Sequence, residues 1–188
     1  MSSKFSFNKH DYLQGQHAFL GPSKYHWVNY DDEKLFNTYL KHQATIRGVR
    51  LHDFAKECIE LGIKLPRSKK TLNMYVNDCI GFNMVPEQPL IYSTNAFGTV
   101  DAISFKRNTL RIHDLKTGVT PASMKQLEVY AALFCLEYKI KPQNIDIELR
   151  LYQSDEVIIQ TPPVEDILFI MDKIIMFDKQ IEKIKIGE

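Results

Sequence analysis

Cysteine is scarce in this chain of 188 residues: Cys58, Cys79 and Cys135 are odd in number and far apart. That spacing excludes a disulfide framework and a C-x-x-C redox or zinc pair. It also falls short of the four ligands an iron–sulfur cluster needs, so the three read as buried free thiols. Long apolar runs are missing too. None approaches the ~20 residues that span a bilayer, which argues against a membrane protein. The opening MSSKFSFNKHDY has no apolar h-region, so a secretory leader is not expected and a cytoplasmic location is. Nor is there an excess of either charge, since 24 basic against 23 acidic residues leave a net +1. This excludes a globally cationic binder but not a local positive groove for phosphates. No Walker A motif, G-x-G-x-x-G, HExxH or serine-hydrolase elbow occurs. No internal repeat, low-complexity tract or Gly/Ser linker divides the chain.

What is present is globular composition, 44% hydrophobic and 25% charged, at the length of one domain, 1–188. The first thirty residues are polar and aromatic, with a turn signal at Gly21-Pro22-Ser23. Asp31 is a candidate N-cap for a helix carrying Leu35, Phe36, Tyr39 and Leu40. A second helix is predicted over Ala44–Leu61 with Gly62 as its stop, and a third over Lys69–Phe82. This makes 1–85 a mainly helical part. After Pro86 the period changes to two. Strands are predicted at Leu90–Tyr92, Phe97–Phe105 and Thr109–Lys116, with turns at Thr94-Asn95 and Arg107-Asn108. An apolar helix opened by Pro121 follows, then a hairpin of Ile145–Tyr152 and Glu156–Gln160, then an amphipathic helix from Pro163 to Ile184. The order α-β-β-β-α-β predicts an α/β fold, a mixed β-sheet flanked by helices, with 86–162 holding its catalytic sheet and helix.

Charged residues interrupt two of these strands. In Leu110-Arg111-Ile112-His113-Asp114-Leu115-Lys116, residues two apart share a face, so Asp114 and Lys116 project together. A carboxylate and an ammonium on an apolar strand are costly unless paired or put to use. Asp101 interrupts the preceding strand. Pairing of the two would let Asp101 and Asp114 converge at one end of the sheet. Two carboxylates with a backbone carbonyl, that of Leu115, suit a hard cation such as Mg²⁺ or Mn²⁺. Lys116 beside them would orient or deprotonate a water and offset transition-state charge. His113 points to the other face of the strand. Lys64, Arg67, Lys69 and Lys70 form a basic cluster that either tracks a phosphate backbone or is a solvated turn.

The string Gly98-x-x-Asp101, twelve intervening residues, Asp114-x-Lys116-Thr117-Gly118, then Gln126-x-x-x-Tyr130 resembles the PD-(D/E)XK nuclease superfamily. It is most similar to the RecB-like branch that includes lambda-type exonucleases. The resemblance implies a restriction-endonuclease-like core in which Asp101 and Asp114 bind metal and Lys116 is catalytic. Gln126 and Tyr130, spaced i, i+4, would contact the active site or the DNA backbone. Gly48-Val49-Arg50-Leu51-His52 resembles the family's helical G-x-x-x-H element and implies His52 as a further metal ligand, for which manganese suits an imidazole slightly better than magnesium. Glu87, before the first strand, either joins the metal or is a solvated loop carboxylate. The segment Gly21–Trp27 is a weaker match, whose aromatics either pack against helices or stack on bases. Val100-Asp101 replaces the nominal Pro-Asp, and the cysteine quartet of the iron–sulfur members is absent.

The resemblance implies a divalent-metal-dependent DNA nuclease, an exonuclease before an endonuclease, acting on linear duplex or single-stranded ends. The size suits an intracellular recombination, repair or phage enzyme, with a helicase or single-strand-binding protein as partner. The competing reading keeps the fold without the chemistry, as a nucleic-acid- or protein-binding module.

Overall fold

Helix ends follow from the residues that stop them. In the computed structural model, which describes residues 9, 11–13, 15 and 17–187, helix α1 runs over Asp32–Leu61. Asp31 Oδ1 accepts the Lys34 amide at 2.7 Å, the N-cap bond its position predicts. At the other end Gly62 has φ +67°. Its amide donates to Ile59 O at 3.2 Å while Ile63 donates to Cys58 O at 2.9 Å, closing the helix in a Schellman turn. Gly62→Ala places a Cβ in left-handed backbone and is expected to cost about 1 kcal/mol, read as a lower urea midpoint with an unchanged slope. The two helices expected over 31–40 and 44–61 are one. Lys41-His42-Gln43 between them contains no Gly or Pro, so nothing ends the first. Helix α2 covers Thr71–Gly81, inside its predicted span. The N-terminal reading of 1–8 lies outside the described residues.

The chain forms two compact units, Met1–Ile46 and Arg47–Glu188. The first holds 3-10 turns at Asp11–Leu13 and Pro22–Asn29 ahead of the first turns of α1. There Trp27 Nε1 donates to Gly21 O at 3.1 Å, and the Phe19 and Tyr39 rings meet edge to face at 5.1 Å.

The second unit is built on a five-stranded sheet in the order β1-β2-β3-β4-β5. Its strands are β1 (Val85–Ser93), β2 (Ala96–Lys106), β3 (Thr109–Leu115), β4 (Asp146–Gln153) and β5 (Glu156–Gln160). All neighbours are antiparallel except β3 and β4, which helix α3 (Lys125–Glu137) connects as a crossover. Three two-residue turns join the hairpins: Thr94-Asn95, as predicted, and Arg107-Asn108 and Ser154-Asp155, both of whose residues are at positive φ. The first strand is longer than its predicted Leu90–Tyr92. Pro86 and Pro89 look like breakers in sequence, but on an edge strand a missing donor costs nothing.

The sheet buries both faces, so the fold is α/β with a mixed sheet flanked by helices. Leu90, Val100, Leu110, Ile112, Leu149 and Leu151 pack under α3 and helix α4 (Val164–Ile186). Ala102, Leu115 and Tyr152 pack against Cys58 of α1 and Tyr75 and Val76 of α2. Cys58, Cys79 and Cys135 are free and buried. Among the described residues no helix is long and apolar enough to cross a membrane.

Candidate metal centre

The antiparallel ladder between β2 and β3 ends at Ala102 opposite His113. One step beyond it lie Asp101 and Asp114, where the strands part and leave backbone amides to be satisfied. Asp101 Oδ2 accepts the Leu115 amide at 2.8 Å, so the carboxylate replaces the missing ladder bond and ties the two strand ends together. His52, one turn after Gly48 on α1, places Nδ1 3.6 Å from the same oxygen. A Cβ on Gly48 would stand 2.9 Å from Thr117 Oγ1. The glycine thus lets α1 approach the loop after β3 closely enough to deliver His52.

Glu87 completes the group. It sits on β1 between the paired Pro86–Ala102 and Gln88–Val100, directly across from Asp101. One ligand atom each from His52, Glu87 and Asp101 lie within 4.8 Å of one another, all partly buried. Glu87 holds φ +50°, a backbone region that costs a non-glycine residue about 1–3 kcal/mol and that clusters at functional sites.

Asp114 is at 1% exposure, and its neighbours explain how a carboxylate survives there. Lys116 Nζ donates to Oδ1 at 3.1 Å and lies 2.9 Å from Oδ2, an ion-pair contact off the hydrogen-bonding axis. Oδ2 is buried and accepts no hydrogen bond. Lys116 also donates to Gln126 Oε1 at 2.9 Å, while Gln126 Nε2 donates to Tyr130 Oη at 3.4 Å and Tyr130 Oη donates to Thr99 O at 2.7 Å. The i, i+4 pair on α3 therefore faces the lysine, and the relay closes on the strand that carries Asp101. Gly98 fits this ring contact, since a Cβ there would be 3.1 Å from Tyr130 Cε1. Tyr130→Phe removes the bond to Thr99 and is expected to lower stability by about 1 kcal/mol in urea unfolding.

Desolvation pushes the Asp101 carboxyl up to about 6, and the nearby Asp114 carboxylate adds to the rise; the Leu115 amide, His52 and Lys116 oppose it. A site with one lysine for three carboxylates, one of them held at positive φ, fits a divalent cation. The donor set is one imidazole with carboxylates, which suits Mn²⁺ or Mg²⁺ rather than a thiolate-seeking metal.

His113 lies on the opposite face, as its strand parity predicts. Its Nδ1 is 3.2 Å from Tyr152 Oη and 3.7 Å from Cys79 Sγ. Tyr152 gives its own proton to Asp78 Oδ2 at 2.7 Å, so the imidazole is the donor to Tyr152 and carries its hydrogen on Nδ1. Burial, with Arg150 and Arg111 nearby, lowers His113 to about 3 and keeps it neutral. Sequence reasoning had no signal for the Thr99 carbonyl, whose side chain is irrelevant to its role. For Glu87 the signal was its register opposite Asp101, legible only once β1 is extended past its prolines.

No family model, curated protein or solved structure matches the chain.

Proposed function

We infer that this chain is a divalent-metal-dependent DNA nuclease on a restriction-endonuclease-like core of the PD-(D/E)XK type. The observation that carries the reading is the gathering of His52, Glu87 and Asp101 within 4.8 Å, next to the Lys116–Asp114 pair. His52, Glu87 and Asp101 would hold Mg²⁺ or Mn²⁺, with Asp114 beside them. Bound there, the ion supplies Lewis acidity toward the scissile phosphate and lowers the pKa of water. Lys116, held by Asp114 and Gln126, positions the attacking water and places its ammonium where phosphoryl charge develops. Water's oxygen forms the new bond to phosphorus as the P–O3′ bond breaks; the water gives up a proton to solvent and the leaving 3′ oxygen takes one up, so the products are a 5′-phosphate and a 3′-hydroxyl. Gln126 and Tyr130 act through Lys116 by fixing its rotamer.

The test is incubation with end-labelled linear duplex, single-stranded and covalently closed circular DNA in Mg²⁺ or Mn²⁺, beside an EDTA control. The expected result is loss of the open-ended substrates, abolished by EDTA, with the circle intact. Cleavage of the circle would make the enzyme an endonuclease with the same site. No cleavage in either metal overturns the nuclease reading.

A further inference from the structure

The unit 1–46 contains a cavity of about 330 Å³ whose lining residues include Lys24, Lys41, His42, Phe19, Trp27 and Tyr30 and no carboxylate. Neither lysine is in an ion pair with a described carboxylate. Two cations lining one concave wall with no carboxylate in that lining raise the local potential and attract an anion. Trp27 spends its only donor inside the unit, on Gly21 O at 3.1 Å. What the indole has left for a ligand is its π surface. Phe19 is committed to its neighbours, with the His42 ring at 5.2 Å and Tyr39 at 5.1 Å, so it serves as a backing wall. The 330 Å³ lies at the small end of ligand pockets, which run from about 300 to 1,000 Å³. That is room for one planar ring and its attached anion rather than a paired duplex. An acidic peptide would satisfy the lysines but leave the aromatic surface unused.

We propose that this pocket seats one nucleotide of single-stranded DNA, the base against Trp27 and the flanking phosphates at Lys24 and Lys41. The site adds a substrate class to the nuclease reading and rests on that reading only for its purpose. Its test excludes metal, so its failure would leave cleavage untouched.

Trp27 is the chain's single tryptophan and reports directly on the pocket. The full chain in EDTA is titrated with a short oligodeoxythymidylate while Trp27 emission is followed. The expected result is saturable quenching whose affinity falls with salt. Each phosphate contact contributes a slope of about −0.7 on single strands, so Lys24→Ala and Lys41→Ala should each flatten the salt dependence by that amount. Trp27→Ala, followed by anisotropy of a labelled oligonucleotide, should weaken binding about 10-fold, since a base stack is worth roughly 1–3 kcal/mol. Both lysines are exposed, and unchanged far-ultraviolet circular dichroism checks that the variants fold. Anisotropy of a labelled oligonucleotide on Trp27→Phe gives a second measure of affinity. No quenching at saturation, or unaltered affinity and salt slope in the double lysine variant, overturns the proposal. Equal affinity for thymidine monophosphate overturns the strand in favour of a free nucleotide. Equal affinity for polyglutamate overturns it in favour of an acidic chain.

Discussion

Lys116→Ala is expected to lower DNA cleavage by about 10²–10⁴-fold, the range that a positioned acid, base or charge contributes to a transition state. An ammonium has three donors. In this site one goes to Asp114 and one to Gln126, leaving the third for water or phosphate. Alanine removes that donor and the positive charge together. Lys116→Arg should not restore the rate, because a planar guanidinium cannot occupy the position of a point charge held by two fixed acceptors. The substitution also leaves Asp114 buried beside Asp101 without its cation. A lone buried carboxylate is costly, but Lys116 is itself 29% exposed and water can replace part of what it gave. The loss of metal-free stability should therefore be about 1–3 kcal/mol, with the variant still folded at 25 °C. Rates measured with saturating Mn²⁺, alongside oligonucleotide affinity in EDTA, separate the two effects. An unchanged rate would remove Lys116 from the chemistry and with it the PD-(D/E)XK-type assignment of the site, though not the cleavage itself. A lost rate with retained affinity is the outcome the geometry calls for.

Much of this arrangement was legible in the residues, and the parts that were not, with one exception, share a cause. Asp31 and Gly62 declare their helix ends through side-chain and backbone chemistry that acts within a turn. Arg107-Asn108 sits between alternating runs and declares its hairpin the same way. The facing of Asp114 and Lys116 follows from strand parity, and that of Gln126 and Tyr130 from helical spacing. Each of these is a local rule. What escaped was decided by partners remote in sequence. The prolines of β1 are tolerated only because that strand is the sheet's edge, a fact of topology. Glu87 was a named candidate for the metal, and what escaped was the β1–β2 register that sets it across from Asp101. The break expected in helix α1 is the one miss of local origin, since Lys41-His42-Gln43 contains no Gly or Pro to end it. The bond of Tyr130 to Thr99 uses a carbonyl, and every residue has one. The site was thus readable as a set of residue types, whereas the relay that fixes Lys116 required the fold.

Asp101→Asn is expected to make the metal-free protein more stable at pH 7.5, by about 2–3 kcal/mol, while removing its response to metal. The sign follows from the carboxyl's position. Its ordinary value is 3.8, and burial together with Asp114 raises it to about 6 in the folded state. Above pH 6 the carboxylate is charged whether the chain is folded or not, and the folded state bears the full cost, at about 1.36 kcal/mol per pKa unit. As pH falls through 6 the folded protein takes up a proton that the unfolded chain binds only near 4. The wild type should therefore gain stability between pH 6 and 4 relative to the variant, and the two should converge below pH 4. Asparagine keeps an oxygen for the Leu115 amide, so the strand ends stay tied and the comparison isolates charge. Excess Mn²⁺ reverses the order. A cation held by His52, Glu87 and Asp101 stabilises only the folded wild type, by about 4.1 kcal/mol at 1,000 times its Kd, which exceeds the metal-free deficit. Urea unfolding of both proteins across pH 4–8, with EDTA or Mn²⁺, reads both effects. A variant less stable than wild type at pH 7.5 in EDTA would mean that Asp101 is a structural acceptor whose charge the fold already satisfies. A wild type indifferent to Mn²⁺ would remove the cation, since a cluster that carries surplus negative charge and still declines a divalent ion is not a metal site.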